Sequence, residues 1–191
     1  LRKMIEIESN EMKKNLKTSI ILLLQVFVLN ICFAESNFEI ANKYYDEDNY
    51  PSAKYYFEDS LFNEGIQNGT LFYRLGYSYE QLKRFCNDAF VKFGFCNEEA
   101  EKITDVLLLA DLYGIKSHGT QRLSRYHKGI ENGSIKVGVK PEVVFETPVS
   151  AVLDGQAGMG IIISIQAMEL AIKKAKEVGM AFVTVRNSNH Y

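Results

Sequence analysis

The feature that most constrains the fold is a helix that passes directly into a strand near the end of the chain. Apolar residues recur at helical spacing over residues 165–178, and the pattern stops at Gly179, a residue type that commonly follows a helix. Residues 180–185 then form a short apolar run suited to a buried strand. Further strand candidates lie at 143–146 and 149–153. This half of the chain is therefore α/β or α+β, and we favour α/β with a helical part followed by a mixed sheet.

Two helices are predicted before this sheet. Phe85, Phe90 and Phe93 share one face of the first helix. Asn97 is a suitable N-cap for the second helix, and acidic residues follow it in the first turn, where the helix dipole favours them. The apolar stripe that we expect to be buried on the second helix consists of Ala100, Ile103, Val106, Leu107 and Ala110.

Residues 35–84 carry a faint internal repeat at the spacing of the tetratricopeptide repeat, about 34 residues. The segment LFYRLGYSYEQLKR, residues 71–84, resembles the first helix of that repeat. The resemblance implies a protein partner for residues 35–84. Because a stable solenoid needs about three repeats, a plain helical hairpin is the alternative. The recurring residues are Phe38, Ala41 and Tyr45, which return as Phe72, Leu75 and Tyr79.

Residues 1–34 have the layout of a secretory signal peptide. The chain begins with Leu1, and Met12 is a candidate start that is followed by several lysines. An uncharged apolar stretch, 18–34, ends with small residues suited to cleavage after Ala34. An uncleaved membrane anchor and a buried core helix are the alternatives.

Composition excludes some classes of protein. The formal net charge is −2 and no stripe of basic residues stands out, so we expect no nucleic-acid partner. Cys32, Cys86 and Cys96 have neither the CxxC spacing nor a nearby histidine. We therefore expect neither a zinc site nor a disulfide framework, and inert thiols instead.

Two of the three histidines occupy unusual settings. If Ser117 caps the next helix, then His118, Arg122 and Arg125 share one face of it and could clamp an anion. His190 ends a polar segment directly after the last predicted strand, a common place for catalytic groups. Solvated basic side chains and an ordinary polar loop are the alternatives.

Four segments, taken in order, point to one protein family more specifically than any single residue does. They resemble the malate/L-lactate dehydrogenase family that lacks a Rossmann fold, whose relatives include ureidoglycolate, sulfolactate and diketogulonate oxidoreductases. The resemblance covers residues 85–191. The segments are ADLYGIKSHGTQRLSRY (110–126), VLDGQAGMG (152–160), AMELAIKKAKEVG (167–179) and VRNSNH (185–190).

The resemblance implies an enzyme that interconverts a small 2-hydroxy acid and a 2-keto acid with NAD or NADP. It implies that His118 exchanges a proton with the substrate oxygen and that Arg122 holds the substrate carboxylate. His190 is the other acid/base candidate, and the choice between the two histidines stays open. Ser117 and Asn189 are expected to contact the substrate. A homodimer is one expected assembly.

The resemblance also implies that the glycine-rich segment 154–160 is a tight strand-to-helix connection, and that later segments bind most of the cofactor. A phosphate-binding loop is the alternative, although an isolated Gly-x-Gly is weak evidence for one. Family members continue well beyond the position of Tyr191. We therefore expect that this polypeptide alone neither binds NAD tightly nor turns over.

The two parts of the chain predict different cellular compartments. The family implies the cytoplasm, whereas the leader 1–34 suggests export. No linker separates Arg84 from Phe85. Together with the missing start Met and the early end relative to the family, this suggests a gene fragment or an artificial join of two reading frames. The alternative function is an exported interaction module, residues 35–84, without catalysis.

Overall fold

The structure, a computed structural model, describes residues 35–190, so the predicted leader 1–34 lies outside the described residues. The chain divides into two units between Phe72 and Tyr73. Over residues 35–190, none of the helices is both long enough and apolar enough to cross a membrane.

The first unit contains a helical hairpin. Helix α1, Asn37–Asp46, begins with a capping box, in which the Ser36 hydroxyl accepts a hydrogen bond from the Glu39 backbone N–H and the Glu39 carboxylate accepts one from the Ser36 N–H. Helix α2, Tyr50–Phe62, is capped by the Asn49 side chain. The two helices form the helical hairpin that the sequence offered as the alternative. The tetratricopeptide resemblance stays a prediction.

Helices α3 and α4 provide most of the helical core of the second unit. Helix α3, Gly69–Lys92, runs without a break through positions 84 and 85. Helix α4, Asn97–Leu112, begins as expected, although its N-cap is Cys96 and no side chain bonds there, so the choice of Asn97 was wrong by one residue. The core between these helices contains Phe90, Phe95, Ala100, Ile103 and Leu107.

The predicted burial of Val106 is wrong, and Phe85 does not share the buried face of Phe90. Phe85 is 63% exposed, because the buried face of α3 runs through Cys86 and Phe90. Val106 is 39% exposed, whereas Leu107 beside it is buried. Helical spacing shows that a face exists, but the position of the packing partner decides which neighbouring residue lies inside.

The segment after α4 does not form one helix from Ser117. Two short 3₁₀ helices, Lys116–His118 and Thr120–Arg122, precede helix α5, Leu123–Glu131. Gly119 between them has extended backbone angles, which interrupt the helical pattern. The expectation that Ser117 caps a continuous helix is therefore wrong.

The mixed sheet is confirmed. Strand β1, Glu142–Thr147, pairs antiparallel with β2, Ser150–Asp154, and β2 pairs parallel with β3, Phe182–Arg186. Helix α6, Gly160–Val178, makes the crossover from β2 to β3, as parallel neighbours require. It ends where the sequence indicated, at Gly179 with φ +90°.

The apolar side chains of α6 and β3 are buried differently from the prediction. Met168 is 61% exposed and Phe182 is 59% exposed, although Met168 belongs to the apolar helical pattern and Phe182 to the run predicted as a buried strand. The first half of α6 contributes Ile161 and Ile162 to the core cluster. Strand β3 alternates exposed and partly buried residues, as a strand covered on one face does.

Candidate active site

The turn after α4 links Ser117, His118 and Arg122. The Ser117 hydroxyl lies 2.9 Å from Nδ1 of His118, within hydrogen-bond distance. Nε of Arg122 donates a hydrogen bond to the Ser117 carbonyl oxygen. All three residues lie on the two 3₁₀ helices, so the turn holds an imidazole and a guanidinium close together without a continuous helix.

His190 is positioned by the parallel strand pair β2 and β3. Asp154 ends β2 opposite Arg186, the last residue of β3. Its Oδ2 atom accepts hydrogen bonds from Arg186 Nε at 3.0 Å and from Asn187 Nδ2 at 2.8 Å. The Gln156 backbone N–H and these two side chains hold the pKa of Asp154 below its usual range. An ionised Asp154 therefore anchors the start of the segment that carries His190.

The same segment packs against the glycine-rich connection between β2 and α6. The Ala157 backbone N–H donates to the Asn187 carbonyl oxygen at 2.6 Å, and the Asn189 N–H donates to the Gly158 carbonyl oxygen at 3.2 Å. A Cβ atom on Gly160 would lie 2.1 Å from the Asn189 carbonyl oxygen. The connection is therefore a tight strand-to-helix turn.

This turn does not suit a nicotinamide cofactor's phosphates. A phosphate loop presents its backbone N–H groups outward, whereas the Ala157 and Gly158 N–H groups here donate to protein carbonyl oxygens. The space beside Gly160 is filled by the Asn189 backbone. Residues 154–160 thus form a connection and not a cofactor cradle.

The two histidines meet, although they are far apart in sequence. The ring centroids of His118 and His190 lie 5.2 Å apart, with the ring planes inclined by 60°. The pKa of His190 is lowered by burial and, to a smaller extent, by the positive charges of Arg122, His118 and Arg125. The four side chains therefore form one electropositive group. A bound carboxylate would lower the electrostatic cost of protonating either histidine.

Other residues singled out from the sequence lie elsewhere. The His127 ring stacks on Phe93 at 4.6 Å, and its Nε2 lies 3.6 Å from Glu131, so it has no part in this group. The Asn189 side chain donates to the Ser134 carbonyl oxygen at 3.4 Å. Residues 35–190 hold no group of three or more metal-ligating side chains.

Sequence reasoning missed Asp111. This carboxylate is 5% exposed and accepts two hydrogen bonds from Thr120, which lies between His118 and Arg122. The signal was available, because Asp111 continues the buried series Ile103 and Leu107 along α4 at intervals of one helical turn. An acidic residue at such a position is uncommon unless it has partners.

These observations define a class of site: two imidazoles and two guanidinium groups on a mixed α/β unit, able to bind a small carboxylate and to exchange a proton beside it. A family model described as malate/L-lactate dehydrogenase matches residues 77–191. The chain therefore belongs to the malate/L-lactate dehydrogenase family. The match begins within α3, before the boundary at 85 that the sequence suggested.

Individual relatives agree with the family match. The malate dehydrogenase of Pyrococcus horikoshii is 43% identical over 112 residues, and the L-sulfolactate dehydrogenase of Methanocaldococcus jannaschii is 42% identical over 112 residues. Each alignment covers 59% of this chain, and 31% or 33% of the relative. The chain thus spans about a third of the length of these relatives.

Solved structures of malate dehydrogenases also resemble this chain. The malate dehydrogenase of Pyrococcus horikoshii OT3 superposes with a TM-score of 0.58 at 42% identity, covering 59% of this chain and 32% of the other. The malate dehydrogenase of Entamoeba histolytica has a TM-score of 0.56 at 39% identity, with coverage of 59% and 31%. The mixed α/β fold of residues 77–190 is therefore that of a dehydrogenase family.

Proposed function

We propose that this chain carries the substrate-binding and acid/base part of a 2-hydroxy-acid dehydrogenase that uses NAD or NADP. The observation that supports the proposal most directly is the approach of the His118 and His190 rings to 5.2 Å, with Arg122 beside them. The family match and the malate and sulfolactate dehydrogenases among the relatives support the reaction class.

Arg122 is assigned to the substrate carboxylate. Its Nε donates to the Ser117 carbonyl oxygen, which fixes the plane of the guanidinium and makes the Nη groups the natural donors to a carboxylate. Arg125 adds positive charge to the same group of side chains. A 2-hydroxy or 2-keto carboxylate would thus be drawn in by charge and oriented by the fork of Arg122.

The histidines are assigned to proton exchange at the C2 oxygen of the substrate. Oxidation of the hydroxyl releases a proton, and reduction of the ketone requires one. Because its pKa is lowered, His190 is neutral near pH 7 and able to accept this proton. His118, hydrogen-bonded to Ser117, is the second candidate for the same step. Ser117 and Asn189 stay expected substrate contacts; Asn189 directly precedes His190, although its side chain donates to the Ser134 carbonyl oxygen.

The nicotinamide cofactor supplies the hydride acceptor or donor for C2. Residues 154–160 do not fit its phosphates, so we assign no residue of this chain to the cofactor. The proposed substrate class is a small 2-hydroxy acid or its 2-keto partner.

The test measures the binding of oxamate, an unreactive analogue of a 2-keto acid. NMR signals of the histidine rings report the binding. We expect oxamate to shift the His118 and His190 signals and to raise the pKa of His190, because an anion stabilises the imidazolium form. Arg122→Ala should weaken oxamate binding at least about tenfold, the loss of a charge-assisted bidentate contact. Arg84→Ala, at an exposed arginine of α3, is the matched control and should bind as the wild type does.

Oxidation of NADH with a panel of 2-keto acids, in the presence of the same chain, measures turnover separately from binding. The proposal fails if oxamate perturbs neither histidine, or if Arg122→Ala binds it as tightly as Arg84→Ala does.

A further inference from the structure

A buried carboxylate lies behind the turn that carries His118 and Arg122. Asp111 belongs to the last turn of α4 and is 5% exposed. Its Oδ2 accepts hydrogen bonds from the Thr120 hydroxyl at 2.6 Å and from the Thr120 backbone N–H at 3.1 Å. These two donors belong to one residue, so the carboxylate holds the backbone and the side chain of Thr120 together.

The second contact of this carboxylate is with Gly119. A Cβ atom built on Gly119 would lie 1.7 Å from Oδ1 of Asp111 and 2.3 Å from its Cγ. Gly119 has φ −90° and ψ −155°, angles that any residue adopts. Glycine is therefore required here for space and not for backbone conformation. The Asp111 carboxyl group occupies the volume that a side chain at position 119 would need.

Gly119 and Thr120 connect the two functional side chains. The Gly119 backbone N–H donates to the Lys116 carbonyl oxygen at 3.2 Å, and its own carbonyl oxygen accepts from the Arg122 N–H at 2.9 Å. A shift of residues 119 and 120 consequently moves His118 on one side and Arg122 on the other. Arg122 in turn is linked to Ser117 through its guanidinium.

We propose that Asp111 is a positioning residue of this site: through Thr120 and the close approach of Gly119 it holds His118 and Arg122 in the arrangement that faces His190. The inference rests on the proposed function for the meaning of that arrangement. Asp111 acts through Thr120 and Gly119, and we assign it no contact with the substrate.

The first test removes one hydrogen bond without changing the shape of the side chain at position 120. Thr120→Val deletes the hydroxyl and keeps the backbone N–H, and Thr120→Ser restores the hydroxyl. Because His118 and Arg122 contribute to the lowered pKa of His190, their displacement in Thr120→Val should let that pKa rise toward its ordinary value. Oxamate binding should weaken about fivefold to tenfold, the effect of one hydrogen bond. Thr120→Ser should restore both quantities.

The second test uses the space beside Gly119. Gly119→Ala should disturb the His190 titration and oxamate binding in the wild-type background, and much less in an Asp111→Ala background, where the carboxylate is gone. Asp105→Asn is the matched control, since Asp105 is an exposed aspartate of α4 that pairs with Lys83 at 2.8 Å. It should behave as the wild type does.

The inference is overturned if Thr120→Val keeps the wild-type His190 titration, if Gly119→Ala acts equally with and without Asp111, or if Asp105→Asn gives the same changes as Thr120→Val. These outcomes are distinct from failure of the proposed function. If the proposed function fails, oxamate does not bind the wild-type chain, whereas the His190 titration still reports whether Asp111 positions the turn.

Discussion

Gly160→Ala tests how tightly the His190 segment is packed against the start of α6. Gly160 is the first residue of that helix and is buried. A Cβ atom at this position would lie 2.1 Å from the Asn189 carbonyl oxygen and 2.8 Å from that of His190. Contacts below 3.0 Å are essentially never observed for Cβ atoms, so the Asn189 carbonyl must retreat by about 0.9 Å. The obstacle is backbone, which adjusts less easily than a flexible side chain.

The expected cost follows from two opposing effects. Overpacking a close contact costs about 1–3 kcal/mol, and replacing glycine by alanine in a helix returns up to about 1 kcal/mol. We therefore expect Gly160→Ala to lower the free energy of unfolding by about 1–2 kcal/mol, or Tm by about 2–8 °C. Because the retreat moves His190, its NMR signal should shift as well.

Thermal unfolding followed by circular dichroism measures the loss of stability, and histidine NMR measures the displacement. Gly69→Ala is the matched control, because Gly69 is the first residue of α3 and nothing lies within 4 Å of a Cβ atom there. Its Tm should match or exceed that of the wild type. Equal stability of Gly160→Ala and Gly69→Ala, with the His190 signal in place, would contradict this close packing.

Three further predictions concern the core, the titration of the site and the thiols. Phe90→Ala should lower the free energy of unfolding by about 3–5 kcal/mol in urea, since Phe90 is fully buried, whereas Val91→Ala should stay within about 0.5 kcal/mol. The pKa of His190 is lowered in the folded chain from 6.5, so below that pH the unfolded chain binds more protons. Stability should therefore fall from about pH 7 to about pH 5, and less so in His190→Gln; an equal fall in both proteins contradicts this. Burial and the nearby negative charge of Asp111 raise the pKa of the Cys86 thiol to about 11, so a thiol reagent should label Cys96 and leave Cys86 unlabelled until the chain unfolds. Peptide mapping by mass spectrometry reads out the labelled positions.

The sequence by itself determined the elements that depend on local rules. The helix that ends at Gly179, the strands β1 and β2 and the hairpin of α1 and α2 follow from hydrophobic periodicity, from capping residues and from the backbone freedom of glycine. These rules act within a few residues of one another, so a linear pattern contains them. The residue types needed to bind a substrate carboxylate and to exchange a proton with a neighbouring oxygen were visible in the same way at Arg122 and His118.

The tertiary structure alone decided which of these residues act together. His118 and His190 come to 5.2 Å only because the parallel pairing of β2 and β3 returns the chain to the turn after α4. Periodicity also left open which face of α3 or α6 is covered, so Phe85 and Met168 proved exposed. The role of Asp111 depends on the volume beside Gly119, a three-dimensional quantity. The contact between the two histidines joins positions far apart in sequence, and the energies of all these contacts depend on distances that no local pattern encodes.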